Sequence, residues 1–156
     1  SVPIIALAPI MNNWFGVDNP FSKMMIVAVI CFFPVMINTV RGITLVDPAM
    51  LELMRANAAS EWAVMRKVRL PNALPFIFSA LKVAASLSMI GAVVSEYFGG
   101  NRSALGVYIT QEAAQFRFQN SWAAIIIASI VGIVFYLVIS LVERLAIPWH
   151  ASVRNS

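Results

Sequence analysis

Residues 47–71, DPAMLELMRANAASEWAVMRKVRLP, determine how the rest of the chain is interpreted. They include three of the seven acidic residues and four of the eleven basic residues, whereas the segments on both sides are long and apolar. The apolar residues recur at three- and four-residue spacing, which predicts that they share one helical face. These residues are Leu51, Met54, Ala58, Trp62 and Met65. A charged, amphipathic helix in this setting is either a solvated loop or a surface that binds another protein.

The composition excludes an ordinary soluble domain. Of the 156 residues, 60% are hydrophobic and only 12% are charged, about half of the roughly 25% that soluble domains contain. Residues 24–40 and 123–142 contain no charged side chain, and residues 72–95 contain only Lys82. About 20 apolar residues are enough to span the bilayer core. Three membrane-spanning helices are therefore predicted, and the fold class is an all-α, polytopic membrane protein.

The basic residues predict the orientation of the chain in the membrane. If the 41–70 loop and the C-terminus share one side, that side holds eight lysines and arginines and the other holds three. The first group is Arg41, Arg55, Arg66, Lys67, Arg69, Lys82, Arg144 and Arg154, and the second is Lys23, Arg102 and Arg117. By the positive-inside rule the richer side is cytoplasmic. The net charge of +4 is thus explained without nucleic-acid binding.

Proline and small polar residues predict where helices begin. Asp47 followed by Pro48 is a typical helix start, and Ser60 marks a second start within the loop. Ser22 is expected to cap the first full span. The expected elements are part of a helix at 2–15, spans at about 23–42, 72–97 and 123–142, and a short interfacial or re-entrant helix at 105–118. Residues 1–156 would form one domain that begins within a membrane segment, as in a fragment or a processed chain.

The sequence contains no recognisable catalytic or metal-binding set. The single histidine, His150, and the single cysteine, Cys31, cannot form a metal cluster, and the glycine-rich phosphate-binding motifs are missing. The chain is therefore expected to be no enzyme and to hold no cofactor. Energy for transport would come from a partner protein or from an ion gradient.

Polar residues within the predicted spans are candidates for a solute path. Glu96 could line it, since an intramembrane carboxylate usually faces a cavity or a partner. Asn38, Ser86, Ser88 and Ser95 could coordinate solute in the same path. The alternative is structural, because such side chains often bond to helix carbonyls or to neighbouring helices, and Glu96 could lie in the water-exposed interface. Lys82 could pair with a charge across the bundle or extend toward the inner face.

Residues 52–71 resemble the cytoplasmic loop of importer-type ABC permeases, which carries the pattern E-A-A-x3-G-x9-I-x-L-P. Glu52, Leu70 and Pro71 match, Val68 replaces Ile, and Ala58 stands at the glycine position. Both alanines of the pattern are replaced. Further similarities are WFG at 14–16, VSE at 94–96 and ALG at 104–106. The resemblance covers nearly the whole chain and is to the nitrate/sulfonate/taurine-type branch, which includes importers of thiamine-pyrimidine precursors and riboflavin.

The resemblance implies a type I importer bundle that lacks the first two of about six spans. Helices at about 48–58 and 61–69 would form a coupling element in a groove of a cytoplasmic ATP-binding subunit, which would hold ATP and Mg²⁺. A second permease copy and an external solute-binding protein, docked near 12–22 and 98–106, would complete a transporter in the bacterial inner membrane. The residues expected at the ATP-binding subunit are Leu51, Glu52, Met54, Arg55, Ala58, Glu61, Trp62, Met65, Arg66, Leu70 and Pro71.

Two other functions are weighed against this one. A gradient-driven carrier or channel would use Glu96 and Lys82 as its ion-coupling charges, and a membrane scaffold would bind a partner without ATPase activity at the same loop. Small polar or aromatic solutes fit the resemblance. No residue of the sequence distinguishes among them.

Overall fold

The structure is a computed structural model that describes residues 4–100 and 103–148. Within these ranges the chain is helical and forms no strand, which confirms the all-α prediction. The elements are a 3₁₀ turn at Ile4–Leu7, α1 Ala8–Phe15, α2 Pro20–Thr44, α3 Pro48–Ala56, α4 Glu61–Val64, a π-helical segment Met65–Arg69, α5 Leu70–Tyr97, α6 Leu105–Ala114 and α7 Phe118–Ala146. Arg102, His150, Arg154 and the tail after Pro148 lie outside the described residues.

Among the residues that the structure describes, three helical stretches are long and apolar enough to cross a membrane, as the sequence predicts. They are Pro20–Thr44, Glu61–Tyr97 and Phe118–Ala146. The last begins earlier than the expected residue 123, because hydropathy marks the apolar part of a helix and not its polar first turn. The middle one extends back to Glu61, because α4 joins α5 through the π-helical segment without a break.

Two of the predicted helix starts are confirmed. Asp47 Oδ1 accepts a hydrogen bond from Ala49 N at 2.9 Å, at the first turn of α3. Ser60 Oγ accepts one from Ala63 N at 3.3 Å, at the first turn of α4. Each side chain satisfies an N–H group that has no partner within its own helix.

The third predicted start, at Ser22, is wrong. α2 begins at Pro20, and Asn19 Oδ1 accepts a hydrogen bond from Phe21 N at 3.0 Å. Asn19 and Pro20 repeat the pattern of an acceptor side chain followed by proline that starts α3. Ser22 is fully buried and donates its hydroxyl to Asn12 Oδ1 at 2.9 Å, which joins α2 to α1.

The chain divides into two compact units. The first comprises Ser1–Phe33 and Ala84–Leu137, and the second comprises Pro34–Val83 and Val138–Ser156. The first unit contains α1 and α6 and has the buried residues Ala8, Ile26 and Ile109 in its core. The second unit contains the 47–71 loop and buries Val64, Ala73 and Ala80. The small core residues allow helices to approach closely.

Candidate functional site

The 47–71 loop leaves several of its large apolar side chains exposed. Met50, Leu53 and Trp62 expose 56%, 63% and 72% of their surface, and no residue of α3 is buried. Isolated exposed apolar residues are common, but a group of them on a short charged segment indicates a binding surface. Tryptophan is among the residues that supply most of the energy at protein interfaces.

The predicted continuous apolar face is not formed, because the chain turns at residues 57–60. Its members lie in separate places, with Leu51 and Met54 in α3, Ala58 in the turn, Trp62 in α4 and Met65 in the π-helical segment. Leu51 and Met54 are half-buried. Met50 and Leu53, which the spacing did not single out, expose more apolar surface.

Ala58 forms the turn between α3 and α4 in a left-handed conformation, with a φ of 49°. The N–H of Ala58 bonds to Arg55 O at 2.9 Å, and the N–H of Ala59 bonds to Met54 O at 3.0 Å. This pair of bonds is the Schellman motif, in which glycine is the usual left-handed residue. Alanine at this position costs about 1–2 kcal/mol. Ala58 therefore forms the turn that the glycine of the family pattern would form, but its backbone is strained.

The charged members of the predicted set lie on the exposed surface of the loop. Glu52, Arg55, Glu61 and Arg66 are all exposed. Neither the ion pair of Lys82 with Glu143 nor that of Glu112 with Arg117 involves them. At exposed positions such charges add little to the stability of the fold. Their place in a docking surface stays a prediction.

Pro71 lies just beyond the π-helical segment Met65–Arg69, and Leu70 before it is exposed. Leu70 donates its N–H to Met65 O, five residues back. Pro71 has no N–H, and its ring would clash with the carbonyl of Lys67 in a regular helix. The wider turn accommodates this proline, so α4 and α5 form one continuous element.

The path candidates Asn38, Ser88 and Ser95 bond to carbonyls of their own helices. The bonds run from Asn38 to Pro34 O, from Ser88 to Ala85 O and from Ser95 to Ala92 O, each at 2.8 Å. Asn38 lies in the second unit and the two serines lie in the first. Their place in a solute path stays a prediction.

Glu96 holds the start of α6. Its Oε2 accepts a hydrogen bond from Gly106 N at 2.6 Å, at an N-terminus whose N–H groups lack helical partners. A Cβ at residue 106 would lie 2.4 Å from Val93 O and 2.9 Å from Glu96 Cβ. Gly106 is therefore required for this approach. This bond gives Glu96 a structural role that is neither of the two considered from the sequence, a solute path or a water-exposed interface.

Lys82 pairs with a charge across the bundle, which is one of the two roles considered for it from the sequence. Its Nζ lies 2.6 Å from Glu143 Oε2, and both side chains are largely shielded from solvent. Glu143 marked only the end of the last span in the sequence, so its partnership was missed. Breaking such a shielded pair leaves an uncompensated charge.

The first unit also contains an apolar groove of about 520 Å³. Residues of α5, α6 and α7 line it, and its polar side chains are Ser86, Tyr97, Ser129 and Tyr136. Of the path candidates Ser86 lines this groove, whereas Asn38, Ser88, Ser95 and Glu96 do not.

The chain belongs to the family described as binding-protein-dependent transport system inner membrane component, whose model matches residues 1–149. The riboflavin transport system permease protein of Chloroflexus aurantiacus is 32% identical over 152 residues, 97% of this chain and 56% of the relative. The formylaminopyrimidine transport permease protein of Halalkalibacterium halodurans is 32% identical over 150 residues, 96% and 59% of the two chains. The taurine transport system permease protein of Escherichia coli is 28% identical over 154 residues, 98% and 55%.

The family match confirms the resemblance to ABC importer permeases and the all-α, multi-pass membrane fold. The chain spans a little over half the length of the curated relatives it matches. These relatives are named as transport permease proteins.

Proposed function

We propose that this chain is part of the transmembrane permease subunit of an ATP-driven importer, and that its 47–71 loop binds a cytoplasmic ATP-binding subunit. The main support is the exposure of Met50, Leu53 and Trp62 on a charged segment between two membrane-spanning helices. Membership of the binding-protein-dependent family agrees with this function.

In this proposal the chain is a mechanical element and not an enzyme. The partner subunit holds and hydrolyses ATP with Mg²⁺, so the chain needs no catalytic residue or cofactor of its own. Trp62 enters a pocket of the partner, since buried tryptophans are among the strongest contributors to interfaces. Glu52, Arg55, Glu61 and Arg66 orient the complex through charge pairs, which contribute more to specificity than to affinity.

The remaining features of the transporter follow from the same proposal. The loop and the C-terminus lie in the cytoplasm, because their side carries most of the lysines and arginines. A second copy of the permease completes the solute path, and an external solute-binding protein delivers the solute. The lipid bilayer covers the apolar exterior of the spans. Nucleic acid is not a partner.

The solute is proposed to be a small polar or aromatic molecule. Riboflavin, formylaminopyrimidine and taurine, named for the relatives, all fit this description. No residue contact in the described part of the chain selects one of them. Uptake of each compound by cells that contain the complete transporter would decide among them.

A gradient-driven carrier that uses Glu96 and Lys82 has less support. Glu96 is bonded to Gly106 N, and Lys82 is paired with Glu143. Both charges are thus engaged within their own units, and a carrier gives no role to the exposed apolar residues of the loop. A scaffold would use the same loop, and the identity of the bound partner distinguishes it.

The test is co-purification with the ATP-binding subunit from detergent-solubilised membranes. Trp62→Ala should weaken the complex by about 2 kcal/mol or more, roughly thirtyfold, because it removes a central aromatic anchor. Trp122→Ala is the matched control, since Trp122 is 64% exposed but lies at the start of α7. The proposal fails if the wild-type protein retains no ATP-binding subunit, or if the two variants retain it equally.

A further inference from the structure

The side chain of Asn72 joins the two helices that flank the 47–71 loop. Asn72, in the first turn of α5, directs its amide nitrogen at two backbone carbonyl oxygens near the end of α2. It donates to Gly42 O at 2.8 Å and to Leu45 O at 2.8 Å. A side-chain amide carries two N–H donors, so both bonds form at the same time.

The end of α2 depends on this outside donor. The last four carbonyl groups of a helix have no partner within it. Leu45 N bonds to Arg41 O at 2.8 Å, and Asn72 takes the next carbonyl, Gly42 O. The hydroxyl of Thr44 bonds only to carbonyls of its own helix and does not reach α5.

The backbones of α2 and α5 touch beside these bonds. A Cβ at Gly42 would lie 2.7 Å from Ala73 Cα and 3.0 Å from Phe76 Cβ, and Ala73 is fully buried. Only glycine permits this approach. We call the contact of Gly42 and Leu45 with Asn72 and Ala73 the neck of the loop.

The two arms of the loop are connected to the spans in different ways. α4 continues into α5 through the π-helical segment, as one helical stretch Glu61–Tyr97. α3 connects to α2 only through residues 45–47, which are not helical. Asn72 bridges this break, because it holds Leu45 and the last turn of α2 against α5.

We propose that Asn72 is a positioning residue that ties α2 to α5 at the neck, so that movement of the docked loop reaches both helices. Without this bridge the movement passes from α4 into α5 but does not reach α2, because the non-helical residues 45–47 deform instead. The inference rests on the proposed function, since it requires that an ATP-binding subunit move the loop.

The test measures amide hydrogen exchange in the complete transporter, with and without Mg-ATP and vanadate. In the wild type, nucleotide should change exchange in the loop, in residues 36–45 of α2 and in residues 72–83 of α5. Asn72→Leu removes both donors at similar volume. It should keep the nucleotide response of the loop and of 72–83 but lose the response of 36–45. A purely structural role would shift exchange without nucleotide and leave the response intact.

Thr44→Val is the matched control, because it removes side-chain bonds at the same helix end without removing the bridge, and it should keep every response. A preserved response of 36–45 in Asn72→Leu overturns the inference and leaves the docking intact. If nucleotide does not change hydrogen exchange in the wild-type loop, the proposed docking is overturned, and this inference with it. If Asn72→Leu does not accumulate, Asn72→Ser should show the same loss, since one short hydroxyl cannot serve both carbonyls. Failure of both variants to accumulate would assign Asn72 to folding and overturn the inference.

Discussion

The 47–71 loop and the α6 segment between α5 and α7 share a short helix with the same kind of turn, but they differ in how much of that helix is buried. Each contains a short helix that ends in a Schellman turn with a left-handed residue other than glycine, Ala58 in one and Phe116 in the other. α6 buries Gly106, Ile109 and Glu112, whereas α3 buries nothing. One face of α6 is therefore packed against its own unit. The exposed face of α3 is the one that we propose a partner covers.

The largest expected effect tests the packing of α6. Gly106→Ala should lower the free energy of unfolding by about 3 kcal/mol, because a Cβ there would overlap Val93 O. Gly132→Ala is the control: its Cβ would meet only the flexible side chain of Met89, at 3.3 Å. Its cost should stay below about 1 kcal/mol. Thermal unfolding in detergent, followed by circular dichroism, measures both, and equal shifts would contradict the close approach of α6 to α5.

The next effect compares one carboxylate from each segment. Glu112 is buried, accepts a hydrogen bond from Asn120 at 2.6 Å and pairs with Arg117, whereas Glu52 is exposed. Glu112→Ala should cost about 2 kcal/mol of stability, because it removes the hydrogen bond from Asn120 to a charged carboxylate. Glu52→Ala should stay within about 0.5 kcal/mol. Chemical denaturation of the detergent-solubilised protein separates the two, and a larger loss for Glu52→Ala would reverse the comparison.

The smallest effect concerns the left-handed turn residue that the two segments share. Ala58→Gly and Phe116→Gly should each raise the free energy of unfolding by about 1 kcal/mol, because glycine adopts the left-handed conformation without strain. Phe116 is largely exposed, so the loss of its ring costs little. Asn57→Gly is the control at an ordinary φ of −86° and should lower stability by about 0.5 kcal/mol. If all three variants melt alike, the turns are not strained.

Local patterns in the sequence predicted the helices well, because caps and apolar runs act within a few residues. Asp47 and Ser60 start helices as expected, and the three spans are present. The same rule applied to Asn19 and Pro20 would have corrected the start of α2.

Contacts between distant residues could not be predicted, because residue spacing carries no information about them. The partnership of Lys82 with Glu143 and that of Asn72 with the end of α2 appear only after folding. The role of Glu96 was undecided for the same reason, since its partner is the backbone of Gly106. The predicted binding surface of the 47–71 loop stays a prediction. Of its exposed apolar residues, the spacing identified Trp62, but it did not identify Met50 and Leu53, because the turn at Ala58 interrupts the helix.

The most direct test of the central claim is the shielding of the 47–71 loop by the ATP-binding subunit. Cysteine is introduced at Leu53→Cys on α3 or, as the control, at Tyr108→Cys on α6, in a Cys31→Ala background, and alkylation by a water-soluble maleimide is timed. Adding the ATP-binding subunit should slow alkylation at residue 53 severalfold and leave residue 108 unchanged, because only the loop is covered. Equal alkylation of residue 53 with and without the subunit would contradict the docking function of the loop.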